Sequence, residues 1–190
     1  MNQFIGVAFV VCILQLITVI ECKTEIPTKH EKLVTFIKVD YEINKNLMSM
    51  KVDLKNNTNG RPTVDLDAEL FTEIPDELYI NNIISRRVSQ LEYHALIKTG
   101  RLSLCDFFKN SDREPFLKTL LRNLETFGHM MFNCPVKKGK YYLKDFYMDT
   151  NTLPSFTPTG DYRVDFAVTR KEKDAYVPIY RMLWYATVSY

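Results

Sequence analysis

Cysteines, histidines and one run of acids are the side chains here with enough chemistry to define a site. The three histidines, His30, His94 and His129, lie far apart and in unrelated contexts, so no ligand pair or acid–base pair is legible among them. His94 follows Glu92 on one strand face and reads as a surface pair. Asp65, Asp67 and Glu69 alternate with Val64, Leu66, Ala68 and Leu70. Clustered oxygens suit hard cations, but the loop glycine of a calcium hand is missing, so the acids read as the solvated face of a strand and not as a metal site. There is no nucleophile elbow, phosphate-cradling glycine loop, His-Glu-x-x-His or Cys-x-x-Cys. The expectation is a non-enzymatic protein with no catalytic residues, no metal and no cofactor.

The four cysteines carry the address. Phe4 to Ile20 is apolar apart from Gln15 and Thr18, and Glu21-Cys22-Lys23 follows. The stretch reads as a secretory signal peptide over residues 1–22, cleaved after Cys22. An uncleaved anchor, near the lower length limit for spanning, is the competing reading, and no Lys or Arg precedes the apolar run. Cleavage removes Cys12 and Cys22 and leaves Cys105 and Cys134, an even pair that predicts one disulfide in an extracellular protein. A bond closing a loop of this length removes about 3.5 kcal/mol of unfolded-state freedom in the chain-entropy model. Asn56-Asn57-Thr58 is a sequon, so a glycan is expected on Asn56. The formal net charge of +2 implies neither a nucleic-acid partner nor an anionic surface. The mature chain is expected to keep no transmembrane segment.

A single domain over residues 23–190 must position these groups, and its pattern is that of strands. Ile37, Val39, Tyr41 and Ile43, then Met48, Met50, Val52 and Leu54, alternate with polar residues around Asn44-Lys45-Asn46 and read as a hairpin. Thr63 to Leu70 and Gln90 to Lys98 read as further strands. Glu73 to Arg87 looks irregular, with Pro75 breaking it and Asn81-Asn82 marking a turn. Ser111-Asp112-Arg113-Glu114-Pro115 is helix-start chemistry. After it Phe116, Leu117, Leu120, Leu121, Leu124 and Phe127 recur at helical spacing, up to Gly128. Tyr162 to Thr169 and Tyr176 to Tyr190 read as a long closing hairpin. The fold class is mainly β: an immunoglobulin-like β-sandwich or β-cup of about seven or eight strands with one amphipathic helix.

Leu104-Cys105-Asp106-Phe107-Phe108, Asn133-Cys134-Pro135, Tyr141-Tyr142-Leu143, Leu153-Pro154 and Pro158-Thr159-Gly160-Asp161-Tyr162 occur in that order. Together they resemble a large insect family of secreted two-cysteine domains that includes the chemosensory B proteins of flies. That family is in turn similar to the ML lipid-recognition superfamily of the ganglioside activator protein. The resemblance covers Val64 to Tyr190. It implies a β-cup whose sheets splay to admit an acyl chain or similar apolar ligand. The ganglioside activator protein has several disulfides and this chain one, so no ligand-binding residue carries over by position.

The expected function is a secreted binding protein for a small apolar ligand (a lipid, a fatty acyl chain or a pheromone-like hydrocarbon), presented to a cell-surface receptor or channel in chemosensation. The alternative is an extracellular interaction or modulator domain with a filled core and no ligand. The expected cavity lies between the sheets. Phe116, Leu117, Leu120, Leu121 and Leu124 roof it, and Tyr162, Val164, Phe166, Tyr180, Met182 and Trp184 form its floor.

Overall fold

The computed structural model describes residues 32–56, 61–75, 77–109, 118, 122–130, 133–149, 153 and 156–190. The signal peptide read over residues 1–22, His30, the sequon residues Asn57 and Thr58, and the roof residues Phe116, Leu117, Leu120 and Leu121 lie outside them.

Alternating sequence becomes nine strands among the described residues: β1 (Leu33–Ile43), β2 (Met48–Asn56), β3 (Pro62–Leu70), β4 (Leu78–Arg87), β5 (Tyr93–Ser103), β6 (Gly128–His129), β7 (Gly139–Phe146), β8 (Gly160–Glu172) and β9 (Ala175–Ser189). All pair antiparallel, in a five-stranded sheet of order β1-β9-β8-β4-β5 and a four-stranded sheet of order β2-β3-β7-β6. Apolar residues from the two sheets meet in one buried cluster, with Met48, Leu70 and Leu143 from one side and Leu78, Val168 and Met182 from the other. The mainly β sandwich expected from the alternation is the fold that forms.

Two local expectations are corrected. β1 and β2 are not a hairpin: β1 pairs with β9 and β2 with β3, so the short connection carries the chain from one sheet to the other. Asn44 fixes that crossing. Its N–H donates to the Ile179 carbonyl (2.8 Å), and its Oδ1 accepts from the Asn46 N–H (3.2 Å), an Asx turn. The irregular stretch around Asn81-Asn82 is the interior of β4, held between β5 and β8. Its ladder to β5 shifts register between Asn81 and Ile83. There the Thr99 hydroxyl accepts from the Asn82 N–H (3.1 Å) and donates to the Asn82 carbonyl (3.3 Å), so both backbone groups stay satisfied. The β8–β9 hairpin, by contrast, forms as its alternation predicts, from Gly160↔Val188 to Glu172↔Ala175.

A helix the sequence pattern did not announce, α1 (Leu104–Lys109), follows β5 directly. The Ser103 hydroxyl caps it by accepting the Asp106 N–H (3.2 Å), satisfying one of the donors a helix start leaves unpaired. Residues 122–125 are helical, within the amphipathic segment expected there. Gly128 then brings β6 so close to β7 that a side chain on it would begin 2.0 Å from the Tyr142 carbonyl oxygen.

Candidate functional site: an apolar cavity beside the disulfide

Cys105 and Cys134 are bonded, with an S–S distance of 1.99 Å, Cα atoms 5.6 Å apart and 29 residues of separation. The bond ties α1 to the segment that leads into β7. Beside it, Ile74 and Val136 exchange backbone hydrogen bonds of 2.9 Å each, an isolated bridge linking the β3–β4 connection to the residues after Cys134. These ties hold one end of the sandwich together.

At that end lies a cavity of about 110 Å³. Met48 and Leu70 line it from the four-stranded sheet, and Leu78, Phe166, Val168, Ile179 and Tyr180 from the five-stranded one. Leu104 and Phe108 of α1, with Leu124 and Met130, cover it, and Ile74 and Val136 line it as well, among the described residues. The Tyr180 phenol is the single polar group among the lining side chains described.

A bulge shapes the floor. The β8–β9 ladder pairs Val168 with Tyr180 and Thr169 with Pro178, leaving Ile179 without a partner on β8. An extra residue in one strand breaks the two-residue alternation, so Ile179 and Tyr180, though consecutive, both line the cavity. Pro178, which has no N–H to give the ladder, suits this position. Burial pushes the Tyr180 phenol well above the ordinary tyrosine range.

Of the expected cavity residues, the structure brings Leu124, Phe166 and Tyr180 together. Met182 is buried in the adjoining core, and Trp184 packs against that core. Tyr162 belongs to a separate cluster with Val34 and Val188. Val164 is half-buried between its ladder partners Ile84 and Trp184. Ile74, Leu104, Phe108, Met130 and Val136 escaped a periodicity-based reading because they lie in a bridge, a one-turn helix and loops, where no repeat marks the inward face. The prolines flanking Ile74 and Val136 were the available hint.

The acidic run behaves as a strand face with one exception. Asp67 and Glu69 are exposed, whereas Asp65 is buried. Lys55 donates to its Oδ2 (2.5 Å) and the Asp145 N–H to its Oδ1 (2.9 Å), while Lys144 pairs with Asp67 (2.7 Å) and stands 3.7 Å from Asp65. Burial alone would raise the Asp65 pKa. The bonds from Lys55 and the Asp145 amide, with the charge of Lys144, outweigh it and hold the carboxyl below its ordinary value. His94 and Glu92 form the expected exposed pair at 2.8 Å. Asn56, at the end of β2, is exposed. Among the described residues no group of three or more His, Cys, Asp or Glu could hold a metal ion, and no helix is long and apolar enough to cross a membrane.

No curated protein matches the chain. Residues 80–164 match a family model described as a protein of unknown function (DUF1091). The matched span runs from within β4 into β8 and contains both bonded cysteines.

Proposed function

We propose that the protein is a secreted, non-enzymatic binding protein for a small apolar ligand of lipid-like or hydrocarbon character. The observation that carries this reading is the cavity of about 110 Å³, walled by apolar side chains from both sheets and covered by residues next to the disulfide. Binding would draw on the removal of apolar ligand surface from water, roughly 25 cal/mol per Å². The volume sets the scale of the guest. It is below the roughly 150 Å³ of an apolar cavity that holds benzene and below the range of ordinary ligand pockets. The site therefore takes a short aliphatic unit or one chain end, and a longer acyl chain requires the covering residues to move. Presentation of the ligand to a receptor in chemosensation follows from the resemblance to the insect two-cysteine domains.

A second reading, an extracellular interaction domain, is favoured by β5. It is an edge strand, and the residues from Val88 to Thr99 are exposed apart from half-buried Tyr93; Leu91 is 97%, Leu96 54% and Ile97 48% accessible. An uncovered strand edge is a template for pairing with another chain.

Native mass spectrometry of the secreted protein, with titration of a fluorescent fatty-acyl or hydrocarbon probe, separates the two. The carrier reading expects a co-purified guest or saturable probe uptake, and loss of uptake in Leu124→Trp, which fills the cavity from its cover while leaving both sheets intact. If the wild-type protein carries no guest and takes up no probe, the interaction domain replaces it.

A further inference from the structure

Among the large apolar residues described, Leu91 (97%) and Phe156 (84%) are the most accessible. Neither lies on a strand: Leu91 is in the turn from β4 to β5 and Phe156 in the connection that enters β8. The ladders pair Arg86 with Tyr162 and Arg87 with Tyr93, so both tips leave the five-stranded sheet at one end, opposite the cavity. Each tip is braced from behind by basic side chains. Arg87 donates to the Ser89 (3.0 Å) and Gln90 (2.7 Å) carbonyls, just before Leu91. Arg86 donates to the Thr159 carbonyl and Lys32 to the Thr157 carbonyl, each at 2.8 Å, just after Phe156. The acids that adjoin these tips in sequence are engaged. Asp161 accepts from Arg87 (3.3 Å) and from the Thr187 hydroxyl (2.7 Å), and Glu92 bonds His94 (2.8 Å). Arg86 has no carboxylate partner among the described residues.

We propose that this end of the sandwich docks on a phospholipid surface, with Leu91 and Phe156 entering the interface and Lys32, Arg86 and Arg87 meeting lipid phosphates. Aromatic and aliphatic tips with Lys or Arg directly behind them match the layering of a bilayer, acyl boundary below and phosphates above. The same arrangement occurs on two separate segments, held by two consecutive arginines and a lysine. A stable protein contact takes roughly 800 Å² from each partner in one packed patch. Two separate tips in a charged surround offer points of insertion instead, and a fluid interface receives them without a shaped pocket. Docked this way, the protein turns its cavity and disulfide away from the membrane. The whole-chain charge gives no such preference, so the attraction is local to this end. The inference does not depend on the carrier reading.

The test is co-flotation of the secreted protein with vesicles of phosphatidylcholine alone and of phosphatidylcholine with phosphatidylserine. The wild type is expected to float with both, and more strongly where phosphatidylserine is present. Leu91→Asp combined with Phe156→Asp should weaken binding about tenfold, because attachment scales with the apolar area inserted. Arg86→Gln should weaken binding to the phosphatidylserine vesicles about fivefold, the worth of one basic group near such a surface. Leu96→Asp, which alters an exposed apolar residue on the β5 edge, should float as the wild type does. Urea midpoints equal to that of the wild type separate these effects from misfolding. A tip variant that floats as the wild type does, or no gain from phosphatidylserine, overturns the docking. So does an equal loss in Leu96→Asp, which would mark unspecific adsorption. A wild type that floats with neither vesicle overturns it too and assigns the tips to a protein interface. None of these results touches the uptake of an apolar guest.

Discussion

At one end of the sandwich the Phe36 ring lies 5.7 Å from Phe146 and 5.5 Å from Trp184, and Phe127 packs edge-on to Phe146 at 5.4 Å. At the other end Phe166 and Tyr180 sit 6.2 Å apart among Met48, Leu70 and Val168, and space is left over. The two ends share strands: β9 delivers Trp184 to the first and Tyr180 to the second on the same inward face. Apolar alternation decides that a residue points inward. Whether the interior closes is decided by local breaks in the ladder, here the bulge at Ile179, and by the connections that cover the end.

If this contrast is right, truncation and enlargement should act differently at the two ends. The largest effect is expected from Phe36→Ala. It removes the ring shared by Phe146 and Trp184 and should cost about 4 kcal/mol in denaturant unfolding, as large aromatic deletions in filled cores do. A loss below about 1 kcal/mol would mean the aromatic end is as loosely packed as the cavity end.

A matched pair sharpens the comparison. Val64 has no accessible surface and pairs with Phe146, whereas Val168 is buried but borders the cavity. Val64→Leu should overpack and destabilise by about 2 kcal/mol. Val168→Leu has room for its extra methylene and should be neutral or slightly stabilising, within about 0.5 kcal/mol. Equal penalties would show that the cavity is not available to side chains in solution.

A pH-dependent effect is expected at Asp65, next to Val64 on β3. The folded Asp65 carboxyl is held below its ordinary pKa, so its contribution is present above the unfolded-state value of about 3.9 and is lost as pH falls through the lower folded value. Asp65→Asn should therefore cost about 1 kcal/mol near neutrality. The difference from wild type should shrink as pH falls from about 5 to about 2 in a series of urea midpoints. A difference independent of pH would assign the role of Asp65 to packing instead of charge.

The sequence made some of this legible and hid the rest for physical reasons. The closing hairpin could be read because Tyr162, Val164, Phe166 and Val168, then Tyr180, Met182, Trp184, Ala186 and Val188, recur at every second position around a charged turn. The cysteine pair was readable because only two cysteines follow the leader-like stretch. Strand β4 was not, because Asn81-Asn82 carries a turn signature and the compensating Thr99 hydroxyl lies 17 residues away. The β1–β2 hairpin failed because both strands alternate well and nothing local states which sheet each joins. At the cavity, Phe166 and Tyr180 followed from periodicity. Ile179 faces inward only through a bulge, and the covering residues come from short, non-repeating segments.

The Cys105–Cys134 bond also has a consequence for how the chain survives damage. Together with the backbone it closes residues 105–134 into a covalent ring, from which the sandwich strands on either side emerge. A protease that cuts once inside that ring produces two polypeptides but not two molecules, because the sulfur link still joins α1 to the approach to β7. The nicked protein should run as one band until a reductant is added and as two afterwards.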